Sequence, residues 1–214
     1  MRAFHAVGQV YVAHLEAVER SVLLDAVDEV LSLLVGANHA EDRAEDRAGD
    51  GVTDASSDDA ELEPLDVLSR AAQPQPAPTD PALRRLLPDA SREDPQVAAE
   101  FRRLTDADLR GTKTDQLRRL RAVVADATPD LVVVPSEAAR VAAALTDLRL
   151  VTAERLGVRT DEDAGGLYDL VLEGDPSDEE SPAEAARRFL ATVHVVLSML
   201  QESLVDLMLA RLDG

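Results

Sequence analysis

With 214 residues and no cysteine, the chain is long enough to bury a core without staples, and it excludes a disulfide framework, a thiolate metal site and a cysteine nucleophile. Its 42 acidic and 22 basic side chains leave a formal net charge of -20, which counts against general affinity for phosphate backbones or anionic lipid. Aromatics are only 2% of the residues, so the core is expected to be Leu, Val and Ala, a composition that suits interdigitating helices.

No apolar run of the secretion-signal kind follows the first residues. No stretch approaches the roughly 18 apolar residues that cross a bilayer. A cytoplasmic location without membrane contact is therefore expected. Val10, Tyr11 and Val12, within positions 9–15, form a β-prone run, and positions 3–7 complete a short hairpin across a turn at Gly8. From Glu16 the period changes. Val18, Val22, Leu23, Val27, Val30, Leu31 and Leu34 recur at steps of three and four, which predicts an amphipathic helix stopped by Gly36 and Asn38.

Between positions 41 and 63 ten acids stand against two arginines and no period survives. A short amphipathic piece with Leu62, Leu65 and Leu68 follows, then a Pro-rich run at 73–78. Such a segment buries too little apolar surface to offset its ordering entropy. Positions 39–79 are read as a disordered acidic insertion, a solvated linker in preference to a nucleic-acid mimic.

Asp80-Pro81 and Asp94-Pro95 each place a good N-cap before a proline suited to the first helical position. They predict helices over 82–87, stopped by Pro88, and over 96–104, with Val97, Phe101 and Leu104 on one face. Asp175-Pro176 repeats the pair but fits a turn. Thr105, with Asp108 three residues on, predicts a new cap. Its helix carries a thin stripe of Leu109, Leu117, Leu120 and Val124 and is expected at the surface. The run LVVV at 131–134, between Pro129 and Pro135, predicts a strand able to pair with 10–15. Ser136 is expected to cap the helix bearing Val141, Leu145, Leu148, Val151 and Leu156, with Gly157 as its left-handed exit. Positions 160–180 are acidic and Gly-rich and read as loop. Ser181-Pro182-Ala183-Glu184 is a capping box opening a last helix to about Arg211. From Phe189 to Leu209 that helix is apolar on almost every face, so it is either the central helix or both core and dimer interface.

Chemistry is sparse. Asp161, Asp163 and Gly165 echo the start of an EF-hand loop, but Gly165 offers no side-chain oxygen and Leu172 stands where a bidentate glutamate is needed. A solvated loop is the reading kept. His194, Ser198 and Glu202 share one helical face, yet side chains on one helix project alike and do not converge on a reacting atom. An internally bonded polar seam is preferred to a relay. No phosphate loop and no Cys/His zinc pattern is present, and neither a cofactor nor a metal is expected. Positions 84–121 hold ten bases and seven acids, including Arg84, Arg85, Arg102, Arg103, Arg118, Arg119 and Arg121. The absence of a helix-turn-helix spacing favours pairing with the chain's own acids over DNA contact.

The runs DPALRRLLPDA at 80–90, EFRRLT at 100–105, DLR at 108–110, LRL at 148–150, RLGV at 155–158 and LQESL at 200–204 resemble an actinobacterial family known as domain of unknown function 2017. The resemblance misses positions 39–79. It implies no established activity and no catalytic residues; genes of the family often neighbour that of the Clp protease adaptor, and some members are labelled transcriptional regulators. It points to Gln201, Glu202 and Ser203 as a functional patch, since polar groups on a buried helix need partners.

The expected protein is a mainly α, bundle-like domain with a small two-stranded β element. Positions 1–38 supply its strand and first helix, 39–79 the insertion and 80–214 the remainder. The expected function is a non-enzymatic, adaptor-type interaction with another protein, linked to regulated proteolysis by the resemblance alone. A homodimer through the C-terminal helix is the other partnership considered. The alternative is a transcriptional regulator touching DNA through the 84–121 stretch, although net charge disfavours nucleic acid. The interaction patch is assigned to Arg102, Arg103, Arg110, Gln201, Glu202 and Ser203.

Overall fold

Alternation builds the sheet. Along the strand Val10–His14 (β2) the burial alternates, with Tyr11 and Ala13 inward and Leu15 following them into the core. Gly8, at φ 58, closes the hairpin to His5–Val7 (β1), a conformation that suits glycine. The strand Asp130–Val133 (β3) pairs antiparallel with the other edge of β2, setting Tyr11 opposite Val133 and Ala13 opposite Leu131. The order is β1-β2-β3. Three strands stand where two were expected, because the hairpin arm and the LVVV run both pair with β2 at once.

The computed structural model describes residues 2–48, 77–91, 93–173 and 181–212, with side chains outside 37–48 and 173. Its helices are Ala17–Ala48 (α1), Pro81–Leu86 (α2), Pro95–Asp126 (α3), Pro135–Leu156 (α4), Asp161–Glu173 (α5) and Pro182–Leu212 (α6). The expectation of a mainly helical protein with a small β element holds. The chain divides into two compact units, Met1–Leu31 with Thr112–Gly214, and Ser32–Gly111.

In the first unit α4 and α6 pack against each other most extensively, with α5 beside α6. Val141, Ala144, Leu145 and Leu148 of α4 and Ala191, Leu197, Leu200 and Leu204 of α6 are almost wholly removed from water, joined by Leu23 and Val27 of α1. Burying each leucine is worth about 1.5–3 kcal/mol, so this helix pair dominates the unit's stabilisation. Leu156, Leu167 and Ala191 form a satellite cluster under α5. In the second unit Leu83, Leu86 and Leu87 are buried, and Arg102 donates to Asp89. Arg110 donates to Asp106 and, at 3.1 Å, to the Leu34 carbonyl.

Local signals set the helix ends. Asp80 accepts from Ala82 N at 2.7 Å and Asp94 from Gln96 N at 2.9 Å. Ser181 and Glu184 exchange backbone and side-chain bonds as a capping box, and Gly157 leaves α4 at φ 76. Other expectations give way. The helix α1 runs through Gly36 and Asn38, whose propensity cost of roughly 1 kcal/mol or less is too small to end it. No break occurs at Leu104–Thr105: the Thr105 hydroxyl donates to the Phe101 carbonyl at 2.9 Å inside one helix. Nor is the later half of α3 a surface helix, since Leu117, Leu120 and Val124 are fully buried. Val134, not Ser136, precedes α4, with Pro135 at its first position. The loop expected over 160–180 is helical at Asp161–Glu173, and 174–180 lie outside the described residues. Thr160 and Asp163 cap it reciprocally, Thr160 N donating at 2.9 Å and Asp163 N at 3.2 Å. Of the insertion expected over 39–79, positions 39–48 continue α1, whereas 49–76, like Asp175-Pro176, lie outside the described residues.

The last helix also differs from its expectation. By length and composition α6 is apolar enough to cross a membrane, contrary to the estimate that no stretch comes close. It is not buried all round: Phe189 is 57% exposed and Leu209 54%. The contrast is measurable. Leu200→Ala should lower the unfolding free energy by about 2–5 kcal/mol in urea denaturation, and Leu209→Ala by no more than about 0.5 kcal/mol.

Candidate interaction groove

Three helices of the first unit leave a groove between them. From α1 it takes Val18, Val22 and Ala26, each four residues from the next and so on one face. Leu148, Val151 and Thr152 of α4 form its floor, and Phe189, Val193 and Val196 of α6 its other wall. Two adjoining depressions of about 150 and 160 Å³ share Val22, Phe189 and Val193. Val18 is 74% exposed and Phe189 57%, a large apolar area left to water at the lip. The charged side chains of the lining are Glu19, Asp25 and Glu29, all carboxylates. Glu19 accepts from Glu16 N at 2.8 Å; Asp25 and Glu29 are exposed and carry no ion pair among the described residues.

Beneath the floor runs a polar seam between α4 and α6. The Thr152 hydroxyl donates to the Leu148 carbonyl at 3.0 Å, which leaves its lone pair for His194 Nδ1–H at 2.9 Å. Burial, and then the nearby Arg149 guanidinium, hold the His194 imidazole below its usual pKa. Gln201 bridges the helices, donating to Thr146 at 2.6 Å and accepting from Arg149 at 2.5 Å. The row His194, Ser198, Glu202 does not converge: Ser198 donates to the His194 carbonyl, and Glu202 faces water. Nearby, the one lysine of the chain, Lys113, meets buried Asp147 at 2.6 Å. Burial drives the Asp147 pKa up while Lys113 opposes it.

The expected patch is distributed otherwise than as one surface. Arg102, Arg103 and Arg110 belong to the second unit and Gln201, Glu202 and Ser203 to the first. Arg102 and Arg110 are buried on Asp89 and Asp106, and Arg103 holds Glu100 at 2.6 Å. Ser203 accepts from Phe4 N at 3.0 Å and donates to the Met199 carbonyl. Of the six, only Glu202 is exposed. Pairing of the arginines with the chain's own acids extends to Arg119 with Glu137 and Arg121 with Asp28. Asp161 and Asp163, the calcium echo, lie in the first turn of α5, where Asp163 accepts from Arg159 N and Thr160 N. Among the described residues no group of three or more His, Asp and Glu is arranged to hold a metal.

Sequence reading assigned Val18, Val22, Phe189 and Val193 to core stripes and missed the groove. One signal was available. Only three phenylalanines are present, and Phe189 directly follows the charged turn at Glu184, Arg187 and Arg188, where a helix has not yet entered its core.

The family model for the Domain of unknown function (DUF2017) matches residues 1–208. No curated protein and no solved structure matches the chain.

The seam makes two predictions. An unfolded histidine titrates near 6.5 while folded His194 resists protonation, so the unfolded chain binds more protons below that pH. The contribution of His194 is therefore complete above pH 6.5 and is lost as pH falls through its folded-state pKa. The His194→Gln protein should show a flatter fall in stability over that window in urea titrations. Separately, Lys113→Met leaves Asp147 buried without its cation and should cost about 3–5 kcal/mol; Lys113→Arg should recover part of it.

Proposed function

Since the chain belongs to the DUF2017 family, which carries no assigned activity, we propose from the groove that it is a non-enzymatic, adaptor-type protein that binds another protein. One observation carries this reading: an acid-edged apolar groove whose lip residues, Val18 and Phe189, are mostly exposed. Apolar side chains clustered at a concave surface gain free energy only when a partner covers them. The polar groups that would suggest catalysis, His194 and Ser198, are instead bonded within the α4–α6 seam. A link to regulated proteolysis rests on the family's gene neighbourhood alone.

The alternative, a transcriptional regulator touching DNA through positions 84–121, has weaker support. Arg102, Arg103, Arg110, Lys113, Arg119 and Arg121 are all engaged with carboxylates. Releasing them to phosphate would take from buried Asp106 and Asp147 the cation each now meets.

Affinity capture from extract of the source cell tests the proposal, with Val18→Ser and Phe189→Ser proteins as controls. A partner should be retained by the wild type and depleted about tenfold or more by either substitution. Clp components among such partners would support the proteolysis link. Equal capture by all three proteins would remove the groove as the basis of function.

A further inference from the structure

We infer that the occupant of the groove is an amphipathic helical segment bearing two bulky apolar side chains four residues apart, flanked by lysine or arginine. The inference rests on the interaction reading above and names its partner's chemistry.

Size comes first. A cavity of about 150 Å³ accommodates one benzene ring, and each depression is of that size. Drug-sized ligands need roughly 300–1,000 Å³. Two depressions that share Val22, Phe189 and Val193 lie side by side, and side chains four apart on a helix are about 5–6 Å apart at Cβ. One helix face can therefore fill both.

Backbone chemistry selects a helix over an extended chain. The groove is walled by α1, α4 and α6, whose backbone groups bond within their own helices. An extended peptide would bring unpaired N–H and C=O groups to a surface with nothing to offer them. A helix arrives with its backbone already satisfied, as in other helix-in-groove contacts.

Charge fixes the flanks. The charged groups of the lining are carboxylates, and Asp25 and Glu29 stand four residues apart, exposed and without an ion pair among the described residues. Arg20, the one basic residue between Ala17 and Leu31, donates elsewhere, to the Ala127 carbonyl at 2.8 Å. A basic flank is complementary to this edge. A second copy of the chain would bring its own -20 charge, and a two-fold contact here would set the same acids against each other. An anionic lipid surface meets the same repulsion.

The test is fluorescence anisotropy of the full chain with a labelled synthetic helical peptide of about 15 residues, carrying Leu and Phe four apart between lysines. Its comparators replace the lysines with glutamates, or the two anchors with alanines. The lysine peptide should bind saturably and weaken with salt. Val18→Ser or Phe189→Ser should weaken binding about tenfold or more, and the Asp25→Asn/Glu29→Gln protein should bind less and lose salt dependence. Unchanged far-UV circular dichroism will show that these surface variants fold. Equal binding of the glutamate peptide overturns the inference but leaves the interaction reading. So does self-association in sedimentation that Phe189→Ser abolishes, whereas vesicle binding that Phe189→Ser abolishes, with phosphatidylcholine as the lipid, overturns both. If no peptide binds, the inference fails, and the interaction reading stands or falls on the capture experiment.

Discussion

The first unit depends on the contact between α4 and α6. With so few aromatics, the chain reaches interior density by setting small and large aliphatics against each other. Ala138, Ala144 and Ala191 stand among Leu145, Leu148, Leu197 and Leu200, all nearly without exposure. Such an interface is apolar along much of its length and would tolerate sliding by a turn. The polar seam removes that freedom. Thr152 with His194, and Gln201 with Thr146 and Arg149, bond across the two helices in one register. A shift would leave several buried donors without partners, at about 1–3 kcal/mol each. Register in turn decides which residues of α6 point away from α4. Phe189 and Val196 face the groove because His194, Leu197 and Ser198 face inward.

The charge of the chain is organised by the same logic. A net charge of -20 means that many carboxylates have no cation to meet. Several described arginines do meet an acid, some deep in the fold as Arg110 with Asp106, others on the surface as Arg121 with Asp28. Exposed pairs of the second kind contribute little to stability. Their consequence is electrostatic: they consume positive charge at particular places and leave other places purely acidic. The groove edge is one of those places. Long-range attraction of a basic segment then raises encounter rates, while the apolar depressions set how long it stays.

Much of the fold was legible because the signals that mark helix ends are local. Asp80, Asp94, Gly157 and the Ser181 box act through atoms within four residues, and each appears where the sequence placed it. The hairpin and the pairing of 131–134 with 10–15 were legible for the same reason, short β-branched runs bounded by glycine and proline. The errors share a different cause. Thr105 and Ser136 look like boundaries, yet a helix continues or starts elsewhere when burial outweighs a local preference of about 1 kcal/mol or less, and at Gly36 the preference is itself too small to end α1. Leu117, Leu120 and Val124, thin as a stripe, are fully buried and hold α3 together past Thr105. The groove was illegible because it is an absence of cover. No periodicity distinguishes a residue that faces a neighbouring helix from one that faces the gap beside it.

Aromatic placement gives that gap its weight. Burying a phenylalanine contributes about 1.5–3 kcal/mol, and a chain with only three has reason to use them inside. Phe4 is buried, while Phe101 is 47% exposed and Phe189 57%. The two exposed rings differ in setting. Phe101 stands with Val97 and Leu104 on one face of a single helix, all three well exposed. Phe189 forms the wall of two depressions, opposite Val22, so that an incoming side chain would be surrounded on several sides. Dispersion and desolvation both grow with the number of surrounding atoms. A concave site therefore converts one exposed ring into binding free energy more effectively than a convex row of three.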